Sequence, residues 1–293
     1  MHRSGFVNIV GNPNVGKSTL MNALVGERLS IITSKAQTTR HRIMGIVSGS
    51  DFQIVYSDTP GILSPRYRMQ EAMMKHVVTA FADADVIVYV TDVVEQADKH
   101  ARYVERLNSL TVPVVVVVNK IDLTTPPKLE ALVERWHATV PRALIIPASA
   151  LEKFNVDALF KALLELLPEG EAYYDKDTFT DKSLRFFASE IIREKIFLTY
   201  SQEIPYSAEV AIEEFKEEGD LYRISAVIYV ARESQKAIII GHRGKMLKRV
   251  GVEARKDMEE FFEKKVFLKT FVKVNPDWRD SDRKLREFGY IQE

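Results

Sequence analysis

Residues 11–18 read Gly-Asn-Pro-Asn-Val-Gly-Lys-Ser and fit the pattern G-x-x-x-x-G-K-[ST]. The apolar run 6–10 before them predicts a buried strand, and residues 20–24 after them have helical character. Glycines leave room for backbone N–H groups to wrap a phosphate, and the helix N-terminus adds its dipole. The sequence therefore predicts a phosphate-binding loop in which Lys17 reaches the outer phosphates and Ser18 ligates Mg²⁺ through its hydroxyl. The predicted loop residues are Gly11, Asn12, Asn14, Val15, Gly16, Lys17, Ser18 and Thr19.

A second apolar run, residues 52–57, predicts another strand that ends in Asp-Thr-Pro-Gly at 58–61. The carboxylate of Asp58 at this strand end suits Mg²⁺, held through water. The turn would let the backbone at Gly61 meet a γ-phosphate. An ordinary turn is the alternative interpretation, but the place of this string after a second strand favours the phosphate site.

The β-branched run 112–118 predicts a parallel strand buried on both faces, and Asn-Lys-Ile-Asp at 119–122 leaves its end. Asp122 can accept two hydrogen bonds from guanine N1–H and the 2-amino group, a donor pair that adenine lacks, so it would exclude adenine nucleotides. Lys120 can lay its methylenes along the base, and Asn119 can tie this loop to the phosphate loop.

A further strand is predicted at 144–148, and Ser149 and Ala150 follow it. Their backbone N–H groups would face guanine O6. This dipeptide is informative only through its place in the series. The four strings together predict a guanine-nucleotide site.

These motifs resemble those of the translation-factor-like GTPases. The form Gly-Asn-Pro-Asn-Val-Gly-Lys-Ser-Thr at 11–19 is similar to that of their bacterial ribosome-assembly and RNA-modification branch, the TrmE-Era-EngA-like superfamily. The resemblance implies an α/β P-loop GTPase domain with a mostly parallel sheet. It also implies that the polar, threonine-rich stretch 31–42 is the first switch, in which Thr39, with Thr38 as second choice, completes the magnesium shell when a γ-phosphate is present. The second switch would run from Asp58 through Tyr67 and Arg68.

One position departs from this pattern. Many relatives carry glutamine after the Asp-x-x-Gly turn to orient the attacking water, but here that position is Ile62. Intrinsic hydrolysis should then be slow unless polar help comes from elsewhere. One hypothesis is that Asn14, by its resemblance to potassium-dependent relatives, helps hold K⁺ beside the phosphates; the alternative is a side-chain hydrogen bond that stabilises the loop. The candidate catalytic residues are Asn14, Lys17, Thr39 and Gly61.

A domain boundary is predicted where residues 168–177 become polar, acidic and aperiodic. This boundary divides the chain into a G domain over 1–170, a linker over 171–182 and a second domain over 183–293. In the second domain, helix or strand patterns are predicted over 184–200, 206–215, 221–231, 245–262, 266–274 and 280–288.

The second domain contains Gly-His-Arg-Gly at 241–244 before a predicted helix. KH domains use such a loop to clamp about four nucleotides of single-stranded RNA, although a helix-capping turn is the commoner reading of a lone Gly-x-x-Gly. Residues 236–249 hold five Lys or Arg and no acid, in a chain with 41 basic and 41 acidic residues. The patch is therefore local, which suits a specific RNA groove. The candidate RNA-binding residues are Lys236, Gly241, His242, Arg243, Gly244, Lys245, Lys248 and Arg249.

The resemblance covers nearly the whole chain. Residues 37–42 (Gln-Thr-Thr-Arg-His-Arg), 188–195 (Ala-Ser-Glu-Ile-Ile-Arg-Glu-Lys) and 251–258 are similar to those of the Era-type members, which join a GTPase domain to a C-terminal KH domain. This implies an α+β type II KH domain that binds the 3′ end of 16S rRNA, and a role in maturation of the 30S ribosomal subunit.

Composition restricts the remaining classes. The chain has no cysteine and no run of about 18 apolar residues, so the sequence predicts no disulfide, no thiolate metal site and no membrane span. With no signal peptide recognised, we expect a cytoplasmic protein, and the resemblance adds peripheral association with the inner membrane. We also expect a monomer. A membrane-surface signalling GTPase and a nucleotide-independent RNA chaperone are the alternatives; Lys17, Ser18 and Asp58 argue against the second.

Overall fold

The computed structural model describes residues 2–95 and 101–291. The chain divides into two compact units. The first comprises Met1–Ser30, Thr39–Pro65 and Gln70–Asp181. The second comprises Lys182–Glu293 together with two segments from the first half of the chain, Ile31–Thr38 and Arg66–Met69.

The first unit is built on a mostly parallel sheet. Its strands are β1 (Arg3–Gly11), β2 (Ile43–Ser48), β3 (Phe52–Asp58), β4 (Val86–Asp92), β5 (Val114–Asn119) and β6 (Leu144–Pro147). Among the described residues they form six strands in the order β2-β3-β1-β4-β5-β6. β2 pairs antiparallel with β3, and the other neighbours are parallel. β4 and β5 are buried throughout, as expected of apolar strands covered on both faces.

Helices pack on this sheet and leave the carboxyl ends of its strands open to the loops. They are α1 (Lys17–Val25), α2 (Arg68–Ala82), α3 (Ala101–Ser109), α4 (Pro126–Thr139) and α5 (Val156–Leu166). One core layer contains Tyr89 of β4 against Trp136 of α4, with ring centroids 5.7 Å apart. β1, β3 and β5 end at Gly11, Asp58 and Asn119, so the motif residues meet at one edge of the sheet. The strands predicted at 6–10, 52–57, 112–118 and 144–148 are confirmed.

Residues 171–181 extend the first unit. The N–H groups of Tyr173 and Tyr174 both donate to Gln53 Oε1, at 2.8 and 2.9 Å. Ile46 N donates to Phe179 O at 2.9 Å, beside the edge strand β2. These bonds give the stretch a structural role that the prediction of a linker over 171–182 did not include. They are made by backbone groups of residues 173, 174 and 179, and the side-chain pattern of the sequence gives no sign of them.

The second unit is an α+β domain. Its strands are β7 (Glu209–Glu218), β8 (Leu221–Val230) and β9 (Lys265–Val274), and its helices are α6 (Leu184–Thr199), α7 (Ile204–Ser207), α8 (Glu233–Ile240), α9 (Lys245–Phe262) and α10 (Asp282–Glu287). β7 pairs antiparallel with β8, and β8 pairs parallel with β9. Residues of α6, α8 and α9 bury one face of this sheet.

Two details of this unit differ from the sequence prediction. The strand predicted from residue 206 begins at Glu209, because Pro205 stands in the first turn of α7, where its fixed φ favours a helix. Residues 233–240 form a helix that the periodicity did not indicate. Within the described residues, no helix is both long and apolar enough to cross a membrane.

Candidate functional site

The loop between β1 and α1 encloses the space where phosphates are expected. Gly16 precedes α1 with φ 94°, and a Cβ there would collide with Asn119 Nδ2. Only glycine satisfies both constraints. Lys17 is 6% exposed, and its Nζ donates to Asn12 O at 2.8 Å. Burial lowers the pKa of Lys17 to about 8, although the negative charges of Asp58 and Glu95 oppose that fall.

Three oxygen-bearing side chains converge beside this loop. Ser18 Oγ donates to Asp58 Oδ2 at 2.7 Å and lies 2.8 Å from Thr39 Oγ1. Asp58 is fully buried, which raises the pKa of its carboxyl against the opposing hydrogen bond from Ser18. Its other oxygen, Oδ1, has no hydrogen-bond partner in the described part of the chain. A buried carboxylate with a spare acceptor, next to two hydroxyls, is a donor set that fits Mg²⁺.

The structure also shows which of the two threonines, Thr38 or Thr39, lies beside the phosphate loop, a choice that the sequence left open. Thr38 Oγ1 lies 2.6 Å from Thr33 Oγ1 and donates to Lys35 O at 2.7 Å. Thr39 Oγ1 instead lies 3.4 Å from Asp58 Oδ2 as well as near Ser18. Thr39 is therefore the threonine beside the phosphate loop.

The loop after β5 is bonded to the phosphate loop and to the loop after β6. Asn119 Nδ2 donates to Val15 O at 2.9 Å, and Asn119 Oδ1 accepts from Ala150 N at 3.0 Å. The side chain of Asn119 is 2% exposed, so these bonds lie out of water. The bond to Val15 O is the tie to the phosphate loop that the sequence led us to expect, and the bond from Ala150 N was not expected.

Two neighbours complete this end of the site. Asp122 is exposed, and its Oδ1 accepts a hydrogen bond of 2.6 Å from Ser149 Oγ, which orients the carboxylate. Lys120 has φ 59°, and its Nζ donates to Asn14 O at 2.5 Å and to Asp92 Oδ2 at 2.6 Å. Asp92 did not appear among the sequence candidates. Its position as the last residue of β4, at the same edge of the sheet, is the signal that could have found it.

The position after the Asp-x-x-Gly turn is part of the core. Ile62 is 6% exposed and packs with Val10 and Phe81. Its backbone N–H donates to Gly11 O at 3.1 Å. A Cβ on the preceding Gly61 would come within 2.8 Å of Pro13 Cα, so the turn lies tightly against the phosphate loop. The side chain of Ile62 thus serves packing and has no group that could orient water.

The Gly-x-x-Gly segment of the second unit forms a sharp link between α8 and α9. α8 ends at Ile240 and is followed by Gly241 with φ 69°; a short 3₁₀ turn covers His242–Gly244, and α9 begins at Lys245. A Cβ on Gly241 would lie 2.5 Å from Met246 Cγ. The exposed members of the predicted basic set are His242, Arg243, Lys245, Lys248 and Arg249, while Lys236 is half-buried and Arg249 pairs with Glu253 at 2.9 Å.

This fold and these two sites define a P-loop GTPase that carries a C-terminal KH domain. The family model for the 50S ribosome-binding GTPase matches residues 6–120, and the model for the KH domain matches residues 203–279. GTPase Era of Clostridium acetobutylicum is 46% identical over 293 residues, which cover 99% of this chain and 98% of that protein. GTPase Era of Staphylococcus haemolyticus is 42% identical and covers 100% of this chain and 98% of its own. The chain belongs to the Era GTPase family and is a GTPase.

Two solved structures resemble the whole chain. A point variant of Aquifex aeolicus Era bound to GDP and AlF4⁻ has a TM-score of 0.95 at 39% identity, covering 99% of this chain and 100% of that one. Era in complex with MgGDPNP and nucleotides 1506–1542 of 16S ribosomal RNA has a TM-score of 0.95 at 39% identity and covers both chains completely. The predicted fold class, a P-loop domain followed by a type II KH domain, is confirmed.

The collision between a Gly16 side chain and Asn119 leads to a test. We expect Gly16→Ala to lower the affinity for both GDP and GTP by about 5- to 150-fold, since a strained backbone and the displaced Asn119 together cost about 1–3 kcal/mol. Titration calorimetry measures the affinities. Gly26→Ala is the matched control, because Gly26 also has a positive φ (85°) but has nothing within 4 Å of its Cβ position. Equal losses in the two variants would contradict the role given to Asn119.

Proposed function

We propose that this GTPase is a switch that hydrolyses GTP to GDP and phosphate with Mg²⁺ and binds the 3′ end of 16S rRNA through its KH domain, assisting maturation of the 30S subunit. The observation that carries the proposal is the presence, in one chain, of a connected nucleotide site and an exposed basic Gly-x-x-Gly loop. The relative bound to both MgGDPNP and a 16S rRNA segment, similar over its full length, supports it.

The nucleotide would lie along the carboxyl edge of the sheet. The backbone N–H groups of the phosphate loop and Lys17 would bind the polyphosphate, and Gly61 N–H would meet the γ-phosphate. Asp122, oriented by Ser149, would accept from guanine. Ala150 N–H already donates to Asn119 Oδ1, so in this structure it fixes the loop beside Asp122 and is not free for the contact with guanine O6 that the sequence predicted. These groups bind and orient GTP before any chemistry occurs.

Ser18, Thr39 and Asp58 would hold Mg²⁺. When bound, the ion neutralises charge on the phosphates. The three side chains already lie within hydrogen-bond reach of one another, so little rearrangement is needed to gather them. The buried Lys17 adds a fixed positive charge, which is most effective where water is excluded.

Asn14 is the candidate for a second cation. It is an exposed residue at φ 65° in the phosphate loop, and its carbonyl accepts from Lys120. Because Ile62 supplies no polar group, we propose that K⁺ near Asn14 assists hydrolysis. In the alternative, Asn14 only stabilises the loop.

The RNA would bind at the α8–α9 link. The N-terminus of α9 and the exposed cations around Gly244 favour a phosphate backbone. Because Gly241 and Gly244 have no side chain, the RNA backbone can approach the protein backbone closely. We propose a cytoplasmic location, since the proposed RNA partner is ribosomal, and we keep the expectation of a monomer as a separate prediction. Peripheral binding to the inner membrane stays a prediction, and it can be tested by comparing the binding of anionic vesicles with the binding of RNA.

Base selection can be tested at Asp122. We expect Asp122→Asn to lower GTP affinity roughly 100-fold or more, because a charged acceptor pair becomes one donor and one acceptor. Affinity for xanthosine triphosphate should rise in the same variant, since xanthine offers the complementary pattern. Competition binding measures both, and an unchanged preference for GTP would refute the assignment.

The role of Asn14 can be tested by changing the monovalent cation. We expect single-turnover hydrolysis to be about tenfold or more faster in KCl than in NaCl, since a bound cation stabilises developing charge. The advantage should disappear in Asn14→Ala while GTP affinity is retained. Equal rates in the two salts for the unaltered protein would leave only the loop-stabilising role.

RNA binding can be tested by placing a negative charge in the Gly-x-x-Gly loop. Gly244→Asp should weaken binding to the 3′-terminal 16S segment about tenfold or more, because the carboxylate would repel the phosphate backbone. A Cβ on Gly244 meets nothing within 4 Å, so its φ of 75° adds backbone strain but no collision and the fold should persist, whereas Gly241→Asp would also collide with Met246. Fluorescence anisotropy in rising salt measures the affinity, which should fall by about 0.7 log units per log salt for each phosphate contacted.

Gly219→Asp is the matched control. Gly219 has φ 61° and open space at its Cβ, and it lies in the β7–β8 turn, outside the basic set. We expect it to leave RNA binding within twofold, and both variants to retain GTP affinity. Equal binding of RNA by Gly244→Asp and the unaltered protein, or preferential binding of anionic vesicles, would contradict the proposal.

A further inference from the structure

Residues 31–38 precede the proposed magnesium ligand Thr39 and form neither helix nor strand. Their contacts assign them to the second unit, in which they pack along α6. The first unit resumes at Thr39. The position of this segment is therefore set by side chains of a helix outside the nucleotide-binding sheet.

A buried arginine of α6, Arg193, donates a hydrogen bond to the last residue of this segment. Arg193 is 1% exposed, and its Nε and Nη2 donate to the two carboxylate oxygens of Glu190, at 2.7 and 2.5 Å. Nη2 also donates to Thr38 O. The two-point pairing fixes the plane of the guanidinium and aims its remaining donor at the Thr38 carbonyl.

Two further contacts hold the same segment. Glu194, buried one residue further along α6, accepts from Ile32 N at 3.3 Å. Lys35 Nζ donates to Phe197 O and Tyr200 O, carbonyls at the C-terminal end of α6 where partners within the helix run out. The segment is thus bonded to α6 near its start, in its middle and at its last residue.

The bond between Arg193 and Thr38 O affects the proposed magnesium site. Thr39 follows Thr38 directly, so one peptide unit, about 3.8 Å between Cα atoms, separates the residue held by Arg193 from the hydroxyl beside Ser18 and Asp58. A displacement of about 1 Å at a catalytic group can reduce a rate by two orders of magnitude.

We propose that Arg193, oriented by Glu190, is a positioning residue for GTP hydrolysis: it fixes the Thr38 carbonyl and thereby places the Thr39 hydroxyl at the magnesium site. This rests on the proposed function of Thr39 as a magnesium ligand. A purely structural role for the pair would stabilise α6 without changing the Mg²⁺ requirement of the reaction.

The test removes the clamp without leaving a buried charge. In Glu190→Leu/Arg193→Met both charges are replaced by apolar groups of similar size, an exchange that buried pairs tolerate. We expect the Mg²⁺ concentration for half-maximal single-turnover hydrolysis to rise about tenfold. Affinity for GDP without Mg²⁺, and the midpoint of thermal unfolding, should change little. Arg185→Met is the matched control, because Arg185 lies in the same helix and also donates to a backbone carbonyl, Ile212 O, at 2.6 Å.

A second variant covers the case in which the double variant does not fold. Arg193→Lys keeps the charge beside Glu190, but an ammonium group lacks the planar fork that serves a carboxylate and a carbonyl together. It should also raise the Mg²⁺ requirement. A folded Arg193→Lys or double variant with an unchanged requirement would overturn the inference.

Thr39→Ala separates this inference from the proposed function. If Thr39→Ala raises the Mg²⁺ requirement and the Arg193 variants do not, only the positioning role is lost. If Thr39→Ala itself has no effect on the Mg²⁺ requirement, Thr39 is not a ligand, and both the assignment and the inference are overturned.

Discussion

The proposed nucleotide site depends on the side-chain amide of Asn119. Its nitrogen binds the phosphate loop at Val15 O, and its oxygen binds the last loop of the sheet at Ala150 N. An apolar side chain would leave two buried backbone groups unpaired, at about 1–3 kcal/mol each, and a carboxylate could not donate. Gly16 must lack a side chain because the amide occupies that space. Three loops from separate strands therefore behave as one preorganised surface, which limits the entropy lost when a nucleotide binds.

The sequence predicts what is local and misses what depends on tertiary contacts. The phosphate loop, the Asp58 turn and the Asn119 loop could be placed because each short string follows its own buried strand, and parallel strands bring their carboxyl ends to one edge. Spacing could not separate Thr38 from Thr39, since both fit an extended loop. Their difference comes from Thr33 and Lys35, which engage Thr38 alone.

Ile62 shows how packing and chemistry compete for one position. The turn after Asp58 brings this residue into the core beside Val10, so an apolar side chain there stabilises the sheet. A polar side chain aimed at the phosphates would have to leave that contact. The chain thereby gives up a group that could orient water. In the proposed function, the charge stabilisation for hydrolysis comes instead from Lys17 and bound cations.

The charged residues of α6 argue for a role other than stability. Read as sequence, Glu190, Arg193 and Glu194 look like the solvated face of a helix, yet each is at most 4% exposed. A buried ion pair adds little to stability compared with apolar residues of the same volume, because desolvation offsets the attraction. Stability alone therefore gives no reason for Arg193 to pair with Glu190 in this core. The hydrogen bond to Thr38 O does give one, because an apolar side chain could pack there but could not hold a backbone carbonyl one residue from Thr39.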